Sequence, residues 1–267
     1  MLKYYIPMVY TFTTRYNNIF AAISFLFFTC LPSLFFVILN NEITVGLLVN
    51  YCMVFYVMYA AYECGYLFND IITVQFEEKP TIRIEKKYFN NISRHLENML
   101  TLRLIIIGIG LFFIYYFDKN AVYFLCTILL LFIVYSVHNF YRNRINICTM
   151  FFLVLLKNVI PLLPFINFTD VGKIILVLTI SIVFPRTYEF STKERFNLHI
   201  ESFNVDLFRV KYYSIACVFM LFISQVGYIS LNYTILPLFF LLYRVFIYIL
   251  LNSTKVQEKV NFIREKK

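Results

Sequence analysis

Between Ala21 and Leu39 the chain carries no charged side chain, and runs of that kind recur along most of the sequence. A bilayer-crossing helix needs roughly 20 mainly apolar residues. The runs supply about eight such segments, near 17–39, 43–72, 99–117, 120–137, 146–168, 172–190, 211–231 and 232–252. They are too long and too evenly apolar for transmembrane β-strands, which alternate over about ten residues. Only a helix satisfies its own backbone inside a bilayer. The chain is 61% hydrophobic and 15% charged, against about half and a quarter in soluble domains. Soluble globular, disordered and fibrous classes are excluded. The expectation is an all-α polytopic transmembrane bundle, residues 1–267 forming a single integral membrane domain.

Charge placement predicts the orientation. Lys157 and Arg244 are read within spans, and Lys119 and Lys173 in connections after odd-numbered spans. Most of the other basic residues gather at the N-terminus, in the connections after spans 2, 4 and 6, and in the tail at 253–267. Lys and Arg are retained on the cytoplasmic side of short loops, so both termini are expected in the cytoplasm, across a cytoplasmic (inner) membrane. That bias accounts for the net charge of +9 without a nucleic-acid partner. The opening MLKYYIPMVYTFTTRYNN contains no small-residue cleavage site, so the first run is expected to be retained as a span. The six cysteines form no CxxC pair and fall mostly inside apolar runs, where small packing residues are the ordinary reading.

The two longest loops, about 75–98 and 191–210, follow even-numbered spans, and both carry mixed charge. Span 2 enters its loop as Asn69-Asp70-Ile-Ile-Thr73-Val-Gln-Phe-Glu77-Glu-Lys79-Pro80-Thr-Ile-Arg83. Asp70 and Glu77, seven residues apart, fall within about 20° on a helix, and Glu63 extends that stripe into the membrane. Acidic groups in a span normally face a cavity, a partner or an ion. Two carboxylates with an amide oxygen suit Mg²⁺, which takes oxygen ligands and phosphate oxygens. Lys79 and Arg83 would meet a diphosphate. Pro80 is expected to end the helix. Lys157, about 16 Å into span 5 at 1.5 Å per residue, needs an anionic partner or a wet cavity. A lipid phosphate, a diphosphate or an ion pair with Glu63 would each serve.

The order Asn69-Asp70-x-x-Thr73-x-x-x-Glu77, then Lys79-Pro80 and Arg83, resembles the NDxxDxxxD signature of the UbiA superfamily of intramembrane prenyltransferases. It stands at the end of the second span, where that family carries it. Thr73 replaces an aspartate and Glu77 another. The family's second aspartate-rich motif is absent; Arg186-Thr-Tyr-Glu189 and Lys193 stand there instead. Arg186-x-x-Glu189 resembles an element of the polyprenyl-phosphate phosphoribosyltransferase branch, as do Tyr135-Ser136, the Arg142/Arg144 pair and Lys157.

The resemblance implies a bundle around a cavity open to the cytoplasmic side, Mg²⁺, a diphosphate donor and a polyprenyl phosphate acceptor. Asp70 and Glu77 would hold the metal with Asn69, while Arg83, Lys79, Arg186, Lys193 and Lys157 would neutralise phosphate. Tyr135 and Glu189 would line the substrate site. Prenyl transfer from a polyprenyl diphosphate to a small acceptor is the alternative within the family. A transporter using Glu63, Lys157 and Arg244, or a non-catalytic scaffold, is the alternative outside it.

Overall fold

The structure is a computed structural model that describes residues 2–76, 82–117, 121–141, 143–198 and 204–252. Among these residues there is no strand, and eight helices are long and apolar enough to cross a membrane. They are Ile19–Asn40, Val45–Phe76, Leu96–Tyr116, Val122–Phe140, Ile145–Phe165, Phe168–Ser191, Val205–Gln225 and Leu231–Leu250. We refer to them as spans 1 to 8. The expected all-α polytopic bundle is the observed architecture. The chain divides into two compact units, Met1–Val171 and Gly172–Lys267, and each is described by itself.

In the first unit span 2 is the central helix. Thr44 caps its start by accepting from the Leu47 amide at 3.1 Å. Its middle is buried on most sides, from Val54 through Leu67, and it packs on spans 3 and 4. Glycine permits that proximity at two points. A Cβ on Gly110 would overlap the Val57 side chain, and one on Gly65 would overlap the Tyr135 ring. Small residues serve in this way wherever membrane helices approach closely. The α-helix of span 2 ends at Ile71 and a 3-10 turn carries Thr73–Phe76. The expected break at Pro80 thus comes earlier. The following loop contains a helix of its own, Lys86–Arg94, with Ile92 buried against Tyr4, Tyr10, Leu67 and Ile71.

Proline shapes two other spans by a shared mechanism. In span 1 a π-turn over Leu26–Cys30 precedes Pro32, and in span 6 one over Thr179–Val183 precedes Pro185. Proline has no N–H and its ring clashes with the carbonyl four residues back, so the preceding turn widens. In span 6 the Phe184 amide bonds back to the Thr179 carbonyl, which frees Ile180, and Pro185 leaves Ser181 without its donor. Bilayer interiors hold no water to repair this. Two tyrosines of span 7 do so: the Tyr212 hydroxyl donates to the Ile180 carbonyl at 2.6 Å and that of Tyr213 to the Ser181 carbonyl at 2.7 Å. Tyr213 is almost fully buried. Tyr213→Phe should therefore lower stability by about 1–3 kcal/mol, the cost of a buried carbonyl left unsatisfied, read as a shifted unfolding midpoint in mixed micelles.

Span 7 begins at Val205, six residues before the expected start. Hydropathy discounts Asp206 and Arg209, yet Asn204 caps the helix by accepting from the Asp206 and Leu207 amides. Arg209 is neutralised by Glu189 at 2.6 Å and Asp206 at 3.2 Å. The helix ends correspondingly early, in a turn where Gly227 takes φ 80°, a region open to glycine.

Candidate functional site

Glu63 and Asp70 lie on one face of span 2, as their seven-residue spacing requires. Both point toward the segment that precedes span 1. This segment carries two short helices, Leu2–Tyr5 and Val9–Thr14, and Tyr4, Tyr10 and Thr11 are buried. Its last residues lead to Asn18, which caps span 1 by accepting from the Ala21 amide.

Glu63 is fully buried and saturated. Oε1 accepts from the Met8 amide at 2.8 Å, the Thr11 amide at 3.0 Å and the Thr11 hydroxyl at 2.6 Å. Oε2 accepts from Arg103 Nε at 3.2 Å and Nη2 at 2.8 Å. Met8 precedes a helix but offers no side-chain cap. A carboxylate 55 residues away therefore takes the free N–H groups of that helix start, where negative charge is favoured. Met8 holds φ 66° and ψ −43°, a strained backbone that aims its amide at Glu63. Arg103 spends its remaining donors on the carbonyls of Tyr4, Tyr5 and Met99. Both side chains are 0% exposed, so Glu63 has Arg103 as its cation. The suggested ion pair of Glu63 with Lys157 is not the one formed. Lys157 Nζ lies 5.7 Å from the centroid of the Tyr62 ring.

Asp70 is the second hub. Oδ2 accepts from the Tyr10 hydroxyl and Arg15 Nη1, both at 2.7 Å. Oδ1 accepts from Arg15 Nη2 at 2.9 Å, Asn69 Nδ2 at 3.1 Å and Arg83 Nη1 at 3.2 Å. A carboxylate offers about four acceptor positions, and five donors converge here. Arg15 grips both oxygens, the bidentate geometry that suits a guanidinium, and its guanidinium carbon sits 3.4 Å above the Tyr66 ring centroid. Burial opposes the Arg15 charge, but the Asp70 carboxylate outweighs it and holds that guanidinium above its ordinary pKa. Burial, then the same carboxylate, pushes the Tyr10 phenol well up. It remains a neutral donor. Arg83 keeps about a third of its side chain exposed while Asp70 keeps 1%. Beside them a cavity of about 290 Å³ is lined by Asp70, Gln75, Lys86 and Asn90 among others.

The expected site residues are distributed as follows. Asn69, Asp70 and Arg83 come together, with Asn69 donating its amide N–H to Asp70. Glu77 and Lys79 lie outside the described residues. Tyr135 packs edge-on against the Tyr62 and Tyr66 rings. Arg186, Glu189 and Lys193 belong to the second unit. There Glu189 holds Arg209 through both oxygens, at 2.6 and 2.8 Å, and Lys193 lies 4.8 Å from the Phe190 ring centroid. Sequence reasoning missed Tyr10, Arg15 and Arg103. For Arg103 a signal existed: a cation in the third apolar run calls for an anion, and Glu63 was available in the second. For Arg15 none existed, since a basic residue before a first span is the ordinary pattern.

The fit of a divalent cation is decided by the donors around Asp70. No group of three His, Cys, Asp or Glu side chains able to hold a metal occurs among the described residues, and both Asp70 oxygens are spent on cations and hydroxyl or amide donors. The described residues do not fit a resident Mg²⁺. They do present two guanidinium groups on a single carboxylate, an excess of one positive charge beside a small, largely apolar cavity to which Asp70, Gln75, Lys86 and Asn90 contribute polar groups. Compared with protein-family models, with curated proteins and with solved structures, the chain finds no match.

Proposed function

We propose that this protein is a UbiA-like membrane transferase that joins a diphosphate-activated donor to a polyprenyl lipid. The favoured reaction is phosphoribosyl transfer from phosphoribosyl diphosphate to polyprenyl phosphate. The supporting observation is the Arg15–Asp70–Arg83 cluster at the end of span 2, where positive charge exceeds negative and Arg83 reaches solvent. On this reading Arg83 and Lys86 receive the donor's phosphates, and Asp70 positions Arg83. A lipid-phosphate oxygen bonds to ribose C1 as the C1–O bond to diphosphate breaks, and diphosphate leaves with the electron pair. Cationic donors fixed where that charge collects favour the transition state. The acceptor is already anionic and needs no strong base. Mg²⁺ enters as part of the donor's diphosphate complex. The proposed setting is a cytoplasmic membrane with both termini and the cluster on the cytoplasmic side.

Purified protein given labelled phosphoribosyl diphosphate, polyprenyl phosphate and Mg²⁺ should place label in the extracted lipid. Arg83→Ala should lower the rate by about 10- to 100-fold, the worth of a charged hydrogen bond, while leaving the Arg15–Asp70 bridge intact. Label passing only from a polyprenyl diphosphate into a small acceptor would move the assignment to prenyl transfer. No product from either donor overturns both.

A second reading is favoured by the saturation of Glu63 and Asp70: the acidic stripe is a staple for the N-terminal segment and performs no chemistry. It predicts that Arg83→Ala changes stability alone.

A further inference from the structure

The helix Lys86–Arg94, in the loop after span 2, divides its side chains into two faces. At about 100° per residue, Tyr88, Phe89 and Ile92 fall within an arc of about 100°. Lys86, Lys87, Asn90 and Arg94 fall within an equal arc on the opposite side, and no acidic residue occurs in the helix. The apolar arc faces protein: Ile92 is buried with Leu67, Ile71 and Met99, and Tyr88 and Phe89 pack against that cluster. The basic arc is exposed at all four positions. The helix lies beside the ends of spans rather than beyond them. Leu67 and Ile71 stand short of the end of span 2 at Phe76, and Met99 is in the first turn of span 3. At that level a bilayer passes from hydrocarbon to head groups.

The start of the chain brings a further cation to the same place. The short helix Leu2–Tyr5 rests here through Tyr4 against Tyr88, with ring centroids 5.9 Å apart, and Tyr5 against His95 at 6.3 Å. Lys3 Nζ lies 5.7 Å from the centroid of the Tyr88 ring, and Lys87 Nζ lies 4.7 Å from the same point. The two ammonium groups are therefore within about 10 Å of each other. The ring favours each of them, but it does not remove their charge. Glu85 pairs with Lys87 at 2.9 Å, and Glu97 is exposed at the start of span 3. Against these two acids stand Lys3, Lys86, Lys87 and Arg94, so positive charge is in excess among the described residues of this surface. Like charges at a joint between two segments repel, and an anion placed between them turns that repulsion into attraction. Basic residues on an amphipathic helix at a membrane surface draw anionic lipid in this way.

We infer that this face binds anionic phospholipid head groups, one phosphate bridging Lys3 and Lys87 and Arg94 extending the surface. Bound lipid then ties the first helix to the helix Lys86–Arg94, in addition to the hold that Glu63 and Asp70 have on the same N-terminal segment. Lys86 and Arg83 stay with the cavity beside Asp70, so the inference does not depend on the transfer reading.

The test uses the full chain in phosphatidylcholine vesicles with trace phosphatidylglycerol or phosphatidylcholine probes, each carrying the same diazirine near the head of one acyl chain. The phosphatidylglycerol probe should label peptides from 2–16 and 82–95 about five-fold more than the phosphatidylcholine probe, the attraction of roughly one basic residue near an anionic surface. Lys3→Gln with Lys87→Gln should at least halve that ratio, and Lys3→Arg with Lys87→Arg should keep it. Both lysines are exposed, so neither pair of substitutions disturbs the packed core. A ratio of one in the unmodified protein overturns the inference. So does a ratio that the glutamine pair leaves unchanged, or a preference of the same size on peptides from every span. Loss of the preference on adding millimolar inorganic phosphate would assign the face to a soluble anion and overturn the lipid.

Discussion

Replacing Arg103 by leucine is expected to lower stability by about 3–5 kcal/mol, the usual penalty for breaking a buried ion pair from one side. Glu63 would keep its three donors from Met8 and Thr11 but would hold an uncompensated charge with no exposed surface. The carbonyls of Tyr4 and Tyr5 would also lose the guanidinium. The charge is the larger cost, and this can be separated. Adding Glu63→Gln to Arg103→Leu removes it while retaining an oxygen for the helix start. The double variant should therefore be more stable than Arg103→Leu alone. Unfolding midpoints in mixed micelles read both. A double variant no better than the single one would place the cost in the lost carbonyl contacts instead.

The second large effect is expected from Asp70→Ala. It leaves Arg15, only 12% exposed, without its counter-ion, and it leaves Arg15 and Arg83 facing each other across the vacated space. The loss should again be about 3–5 kcal/mol, reduced to the extent that Arg83 swings toward solvent. Its location distinguishes it from a general loss of packing. Tyr10 and Arg15 are the segment's two ties to Asp70, so residues 2–16 should exchange amide hydrogens faster while span 4 and span 5 hold their protection. Glu63 grips the same segment at Met8 and Thr11, so Asp70→Ala and Arg103→Leu should combine non-additively, as neighbours in one network do. If the transfer reaction proposed above is correct, Asp70→Ala also abolishes it. Full activity in that variant would sink the assignment.

The membrane architecture was legible because it rests on local arithmetic. About 20 apolar residues in a row admit few folds, and the positions of Asn18, Thr44, Pro32 and Pro185 bear on helix starts and irregular turns through their immediate neighbours alone. The seven-residue spacing of Glu63 and Asp70 likewise places them on one face whatever surrounds them. Where hydropathy misjudged an end, as at span 7, the cause was a charge that a distant residue neutralises: Arg209 reads as loop until Glu189, 20 residues away, is seen to hold it.

That is also the boundary for the site. From sequence alone came eight spans, an acidic stripe on span 2 and a set of basic residues to answer it. Only the tertiary structure decided which cation meets which carboxylate: Arg103 rather than Lys157 at Glu63, and Arg15 together with Arg83 at Asp70. The reason is physical. In a low-dielectric interior the energy of a charge depends on which partner lies within a few ångströms. That distance is set by which helices pack side by side and by a segment folding back from before the first span. Neither leaves a periodicity to read along the chain.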